Sequence, residues 1–268
     1  MPFVREGVTL IRDAFERGYT LPAFNVCSAE MVRACLEAAE AEAAPIILQT
    51  YPADLEQIAP RQLAALVKSY AEEADVPVTL HLDHGPDFKL CVECLAAGYS
   101  SVMYDGADAD LEGVLVTTGR LAEVTRLLGA SLEVANDSFN AGSLQFSRPG
   151  EVAQLFEAGA DMVAVSIGSE HGQSGELDFG LLKEIAERVN APLVMHGGSG
   201  ITADEHERLR AAGVVKTNIG SALYRALRGV WEGSSGASSH RDVYSAARTS
   251  LREVAADKIR LLGAAGRA

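Results

Sequence analysis

The chain has 268 residues, 48% hydrophobic and 22% charged, which is enough apolar material for a large core and excludes a disordered or fibrous chain. Thirty-seven acidic residues against 23 basic ones leave a net charge of −14. A phosphate backbone or an anionic membrane would repel such a surface, so roles on nucleic acid or lipid are excluded.

The first 17 residues carry Arg5, Glu6, Arg12, Asp13, Glu16 and Arg17 on a helical pattern over Val4 to Arg17 that stops at Gly18. This is no signal-peptide core, and no apolar run elsewhere is long enough to span a bilayer, so a cytoplasmic protein is expected. Leu21 to Val26 reads as a short strand, and the Ala/Glu-rich stretch Ala29 to Ala43 as a helix. Pro45 to Thr50 is a second buried strand, followed by a helix from Pro60 to Ala74. The apolar run from Val76 leads into His81-Leu82-Asp83-His84, which Gly85-Pro86 ends at once. A helix over Lys89 to Ala97 precedes the strand Ser101 to Asp105, and a helix over Leu111 to Leu128 precedes the strand Ser131 to Ala135. The helix Gly150 to Ala158 leads to Asp161 to Ser166, and Leu181 to Val189 leads to Pro192 to His196. Thr202 and Glu205 form a capping box that opens the next helix. Val214 to Ile219 is the eighth strand, and two helical stretches around the Gly/Ser-rich hinge Gly233 to Ser239 finish the chain.

Eight strands this apolar are buried on both faces, as a parallel sheet requires. Their even alternation with helices predicts a TIM (β/α)8 barrel, α/β in class, rather than an open doubly wound sheet. No linker divides the first 220 residues, so one domain over 1–268 is expected, with 229–268 as a C-terminal helical extension.

In such a barrel the chemistry sits where strands end at their C-terminal face. Asp83 and His84 end the third strand, His171 follows the sixth, and His196 ends the seventh. Neighbours on a strand face opposite ways, but at a frayed end both Asp83 and His84 can turn toward one cavity. Three imidazoles around one mouth with an open position make a catalytic zinc arrangement; three separately hydrogen-bonded histidines are the alternative. His81 reads as a supporting or core group, and His206 and His240 as helical or flexible surface. The runs His196-Gly197-Gly198-Ser199-Gly200 and Asn218-Ile219-Gly220-Ser221 each precede a helix. Their backbone N–H groups could close on a phosphate, although tight turns alone would also use these glycines. Cys91 and Cys94 form a CxxC with no second pair to complete a zinc site, and are read as two residues on one helix face.

The chain resembles the class II, zinc-dependent ketose-bisphosphate aldolases of the fructose- and tagatose-bisphosphate kind. AFNV at 23–26, LHLDHG at 80–85, MYDGAD at 103–108, GSEHG at 168–172, HGGSGI at 196–201, KTNIGSAL at 216–223 and the ending KIRLLGAAGRA carry the resemblance, in family order along nearly the whole chain. It implies that His84, His171 and His196 bind zinc, and that Asp83 is the general acid/base at the aldehyde oxygen. It further implies that Asn25, Gly172, Gly197, Ser199, Asn218, Gly220 and Ser221 hold a phosphorylated sugar, with Na+ or K+ near the phosphate. Arg241 matches an arginine that reaches a neighbouring subunit's site, so a homodimer or homotetramer is expected.

Three stretches depart from the family pattern. The fifth strand usually reads ExELG, followed by a mobile loop with a catalytic glutamate. Here it reads Glu133-Val134-Ala135-Asn136-Asp137, and Ser138 to Arg148 contain no Glu or Asp. After the second strand Tyr51-Pro52-Ala53 stands where a small hydroxyl residue and a glycine are usual. The expected reaction is reversible aldol cleavage of a phosphorylated ketose into a dihydroxyacetone phosphate-type donor and an aldehyde. Cleaving a C–C bond β to a carbonyl leaves an enediolate, whose charge calls for a Lewis acid, and Asp83 would carry the hydroxyl proton. The alternatives are a metal-dependent isomerase or epimerase on a sugar phosphate, and an inactive aldolase-like binding protein.

Overall fold

Every apolar run between two helices lies in one parallel sheet, each hydrogen-bonded to the next and the last to the first. The computed structural model describes residues 3–107, 109–135, 145–168 and 176–268. The strands are β1 (Leu21–Asn25), β2 (Ile46–Thr50), β3 (Val78–Gly85), β4 (Ser101–Asp105), β5 (Ser131–Ala135), β6 (Met162–Ala164), β7 (Leu193–Met195) and β8 (Val214–Ile219). They close in chain order into a barrel, β8 pairing with β1 through Leu21–Lys216 to Phe24–Ile219.

The helices wrap outside: α1 (Gly7–Arg17), α2 (Ala29–Ala41), α3 (Pro52–Leu55), α4 (Pro60–Ala71), α5 (Phe88–Ala97), α6 (Leu111–Leu128), α7 (Pro149–Glu157), α8 (Phe179–Val189), α9 (Ala203–Ala211), α10 (Ser221–Gly233) and α11 (His240–Leu261). Local chemistry starts several of them. Ser28, Asp87, Asp110 and Asp178 each accept the backbone N–H three residues on, and Thr202 and Glu205 make the expected reciprocal cap of α9. The one-turn α3 has no periodic signature in the sequence; Pro52 opens it directly after β2. Cys91 and Cys94 are both free thiols buried on α5. No helix among the described residues is long and apolar enough to cross a membrane.

The core lies between sheet and helices, where Leu48, Leu80, Leu82, Val102, Leu132, Ile219 and their neighbours are fully enclosed. Inside the barrel the packing is different. Gln49, His81, Glu133 and Lys216 are all fully buried there, an expensive set of groups for a low-dielectric interior unless they satisfy one another. After the Ser234–Gly236 turn, α11 runs back over α2. Its end is tied down by an ion pair of Arg260 with Glu42 at 2.7 Å and by backbone bonds from Gly266 and Ala268 to Glu42 and Ala43.

Candidate active site

The strand alternation that would send Asp83 and His84 to opposite faces is broken by a bulge. The pairing of β3 with β4 shifts register between Leu82 and Gly85, and His84 takes φ 53°. This left-handed conformation costs a residue with a Cβ about 1 kcal/mol, and histidine is among the residues that tolerate it. It turns the imidazole toward the mouth beside the Asp83 carboxylate, with His84 Nε2 3.8 Å from Asp83 Oδ1. The sequence suggests a frayed end; β3 instead bulges at Asp83 and His84 and pairs again with β4 at Gly85.

Asp83 is buried, and amides surround its carboxylate. Asn25 from β1 donates to Oδ2 at 2.9 Å, Gln49 from β2 to the same oxygen at 3.1 Å, and Asn218 from β8 to Oδ1 at 2.8 Å. Burial alone would raise the Asp83 carboxyl. His84, His196, Lys216 and the Asn25 amide outweigh it and hold the group below its ordinary value. Asp83 is therefore an ionised acceptor at neutral pH.

The two described histidines of the expected triad face each other. His84 Nδ1 lies 2.5 Å from Asp105 Oδ2, and His196 Nε2 lies 3.0 Å from Glu133 Oε1. An ionised carboxylate only accepts, so each of these nitrogens carries its ring's proton. The other pair, His84 Nε2 and His196 Nδ1, then point at one another at 3.0 Å with the rings 4.7 Å apart and edge-on. Two acceptor nitrogens at that distance repel unless a proton or a cation lies between them. Burial pulls the His84 imidazole down, but Asp83 and Asp105 reverse this and raise it above its usual value, as expected of a place that attracts positive charge. Asp83, His84 and His196 bring one ligand-type atom each within 4.8 Å of one another. The two imidazole donors, with their outer nitrogens fixed by carboxylates, fit a divalent metal such as zinc, and the Asp83 carboxylate stands beside them. His171 and Gly172 lie outside the described residues.

Beneath the histidines, charge is neutralised in a closed ring. Lys216 Nζ is 2.9 Å from Glu133 Oε2 and donates to Asn218 Oδ1 at 2.6 Å. Lys216 and Glu133 are near in distance but off the line of a hydrogen bond, since Glu133 Oε2 has no such partner among the described residues; charge holds the pair. His81 sits below, 3.5 Å from Glu133 Oε2 and 2.7 Å from Ser101 Oγ. Burial and then Lys216 push its pKa well down, so it is a neutral supporting group, as its strand position suggested.

One cleft of about 480 Å³ opens over this floor, lined by Asn25, Asp83, His84, Gly197, Ser199, Asn218, Gly220 and Ser221, together with Tyr51, Asp54, Asp105 and Tyr224. Gly197 adopts φ 75°, and a Cβ on Gly220 would come within 2.9 Å of Asn25 Oδ1, so both positions need glycine. Gly220 caps α10, whose N-terminus thus opens on the cleft. Lys258 of α11 donates to the Ser199 carbonyl at 3.2 Å. His206 is a correction to the sequence reading: it is buried on α9 rather than at the surface. Burial, with Lys258 nearby, pushes its pKa down to about 4. Arg241 stands in the first turn of α11 and does not line this cleft. A larger groove of about 1120 Å³ between α8 and α9 contains none of the candidate ligands.

Sequence reasoning gave no role to Glu133, Lys216, Gln49 or Asp105. A signal was there: a charged or amide residue inside an otherwise apolar strand, or one ending a strand as Asp105 does, marks the interior or the mouth of a barrel.

A family model for fructose-bisphosphate aldolase class-II matches residues 6–267. The fructose-bisphosphate aldolase of Staphylococcus aureus (strain N315) is 31% identical over 286 residues, covering 100% of both chains. That of Ureaplasma parvum serovar 3 is 34% identical over 223 residues, 78% of this chain and 77% of its own. Among solved structures, the YdjI aldolase from Escherichia coli K12 superposes with a TM-score of 0.88 at 27% identity, covering 97% of this chain and 98% of that one.

Proposed function

The chain belongs to the class-II fructose-bisphosphate aldolase family, and from that premise we propose that it is a zinc-dependent aldolase that reversibly cleaves a phosphorylated ketose into a dihydroxyacetone phosphate-type donor and an aldehyde. The observation that carries this reading is the ionised Asp83, fixed by three amides, beside the converging nitrogens of His84 and His196.

In cleavage, Asp83 takes the proton of the ketose hydroxyl as the C–C bond breaks, and returns it to the aldehyde oxygen in condensation. Its amide partners hold the carboxylate in one orientation, so its receiving lone pair is preset. A zinc ion held by His84, His196 and His171 would supply a Lewis acid for the negative charge that develops on the donor half. Asp105 and Glu133 fix which nitrogen of each ring is presented. The backbone of Gly172, Gly197, Ser199 and Gly220, with Ser221 at the start of α10 and the Asn218 side chain, is the proposed phosphate cradle, with Na+ or K+ as an accompanying ion. Arg241, exposed at the start of α11, is free to serve a neighbouring subunit in a homodimer or homotetramer, within the cytoplasm.

The test is direct. Purified protein should carry about one zinc per subunit and release an aldehyde from fructose or tagatose 1,6-bisphosphate. A crystal soaked with phosphoglycolohydroxamate should show the ligand's phosphate on the Gly197 and Gly220 loops. Zinc-loaded protein that interconverts sugar phosphates without releasing aldehyde would replace this reading with an isomerase.

A further inference from the structure

Six titratable side chains line the cleft among the described residues: Tyr51, Asp54, Asp83, His84, Asp105 and Tyr224. Five are committed. Asp83 holds three amides. Asp105 takes His84 on one oxygen and the Ala107 N–H on the other. His84 is engaged through both ring nitrogens. Tyr224 donates to Asp54 at 3.3 Å. Tyr51 differs: among the described residues its hydroxyl has no hydrogen-bond partner. Its ring stands edge-on to that of His84 with centroids 5.7 Å apart, and it remains 44% exposed. Pro52, the first residue of α3, fixes the chain immediately after it.

The proposed reaction needs one proton donor that the groups described so far do not provide. Once the C–C bond breaks, its electron pair resides in the enediolate, and the carbon that lost its partner must gain a proton before dihydroxyacetone phosphate can leave. Asp83 is occupied at the oxygen end. Residues 138–148 contain no Glu or Asp.

We propose that Tyr51 is a catalytic residue of the aldol reaction, giving its phenolic proton to the enediolate carbon in cleavage and taking it back in condensation. The step balances. The enediolate electron pair forms the new C–H bond, the O–H pair stays on the phenolate, and the exposed phenolate regains a proton from solvent while Asp83 releases the one it took. This inference rests on the aldolase reading.

The test uses the zinc-loaded Tyr51→Phe protein and three measurements. Deuterium wash-in at the carbon of dihydroxyacetone phosphate, followed by NMR, reports proton transfer to and from the enediolate. Cleavage of fructose 1,6-bisphosphate with hexacyanoferrate(III) present reports enediolate formation, because the oxidant removes the intermediate before it is protonated. Affinity for phosphoglycolohydroxamate reports the integrity of the site. Tyr51→Phe should lower wash-in and unassisted turnover by on the order of 10²-fold, as for a lost general acid, while intercepted cleavage and inhibitor affinity stay within about threefold of the parent. Wash-in at the parent rate would overturn the proposal, as would a parallel fall in intercepted cleavage, which would make Tyr51 a binding or packing residue. Loss of wash-in in Asp137→Asn alone would move the role to Asp137. If the parent protein neither exchanges this proton nor cleaves ketose phosphates, the aldolase reading itself fails.

Discussion

Lys216→Met probes the ring of charge on which the site stands. Lys216 and Glu133 are both fully buried, 2.9 Å apart. Removing the ammonium leaves the Glu133 carboxylate in the barrel without its countercharge, with His196 as its hydrogen-bond donor among the described residues. Breaking one side of a buried pair costs about 3–5 kcal/mol, chiefly because the surviving charge has lost its compensation. In a chain of this size that lowers the melting temperature by on the order of 10 °C. Lys216→Met combined with Glu133→Gln removes both charges, so the double variant should be more stable than the sum of the single losses predicts, with a coupling energy of at least about 1 kcal/mol. Urea unfolding of the four proteins, each treated with chelator, measures the cycle. A single-variant loss below about 1 kcal/mol, or strict additivity, would refute the account of the pair. In zinc-loaded protein Glu133→Gln should also weaken zinc binding by about 10–100-fold, because an amide can turn its donor toward His196 and release that ring.

Asp83→Ala should keep its zinc and lose turnover by on the order of 10²–10⁴-fold; loss of metal in elemental analysis would instead make Asp83 a ligand. The same change strips an acceptor from buried amides, and should cost about 1–3 kcal/mol in denaturant unfolding. Zinc affinity should fall on acidification with a midpoint above about 6.5, since His84 in the metal-free site holds its proton to higher pH than a free imidazole; titration with a competing chelator that gave a lower midpoint would contradict this. His206, with its pKa at about 4 in the fold, binds a proton more readily when unfolded. It therefore contributes stability that is full above about pH 6.5 and is lost toward pH 4, about 2 kcal/mol between pH 7 and 5. His206→Gln should remove that part of the pH slope in equilibrium unfolding. Ala135 ends β5 two residues after Glu133, on the same face and nearer the mouth. Ala135→Glu should thus alter zinc affinity more than it alters the wash-in rate of dihydroxyacetone phosphate.

What the sequence determined by itself was whatever is encoded within about ten neighbouring residues. The strands Ser101–Asp105, Ser131–Ala135 and Val214–Ile219 and the helix Leu111–Leu128 begin and end where the apolar runs and their caps place them, because burial period and capping are local properties. Even alternation of such elements leaves a closed parallel barrel as the economical arrangement, and strand ends bring Asp83, His84 and His196 to one mouth. Tertiary structure alone decided the rest. The bulge that turns His84 inward is a shift in register between two strands, and register exists only once they pair. His206 looked like surface because α9 is polar except for Leu209 and its terminal alanines, yet it is buried beside Lys258 of a helix half a hundred residues later. Glu133 and Lys216 meet only when β5 and β8 curve around the same interior, and the three amides on Asp83 come from three different strands. Contacts across a barrel depend on its closure and stagger, which no single stretch of sequence specifies.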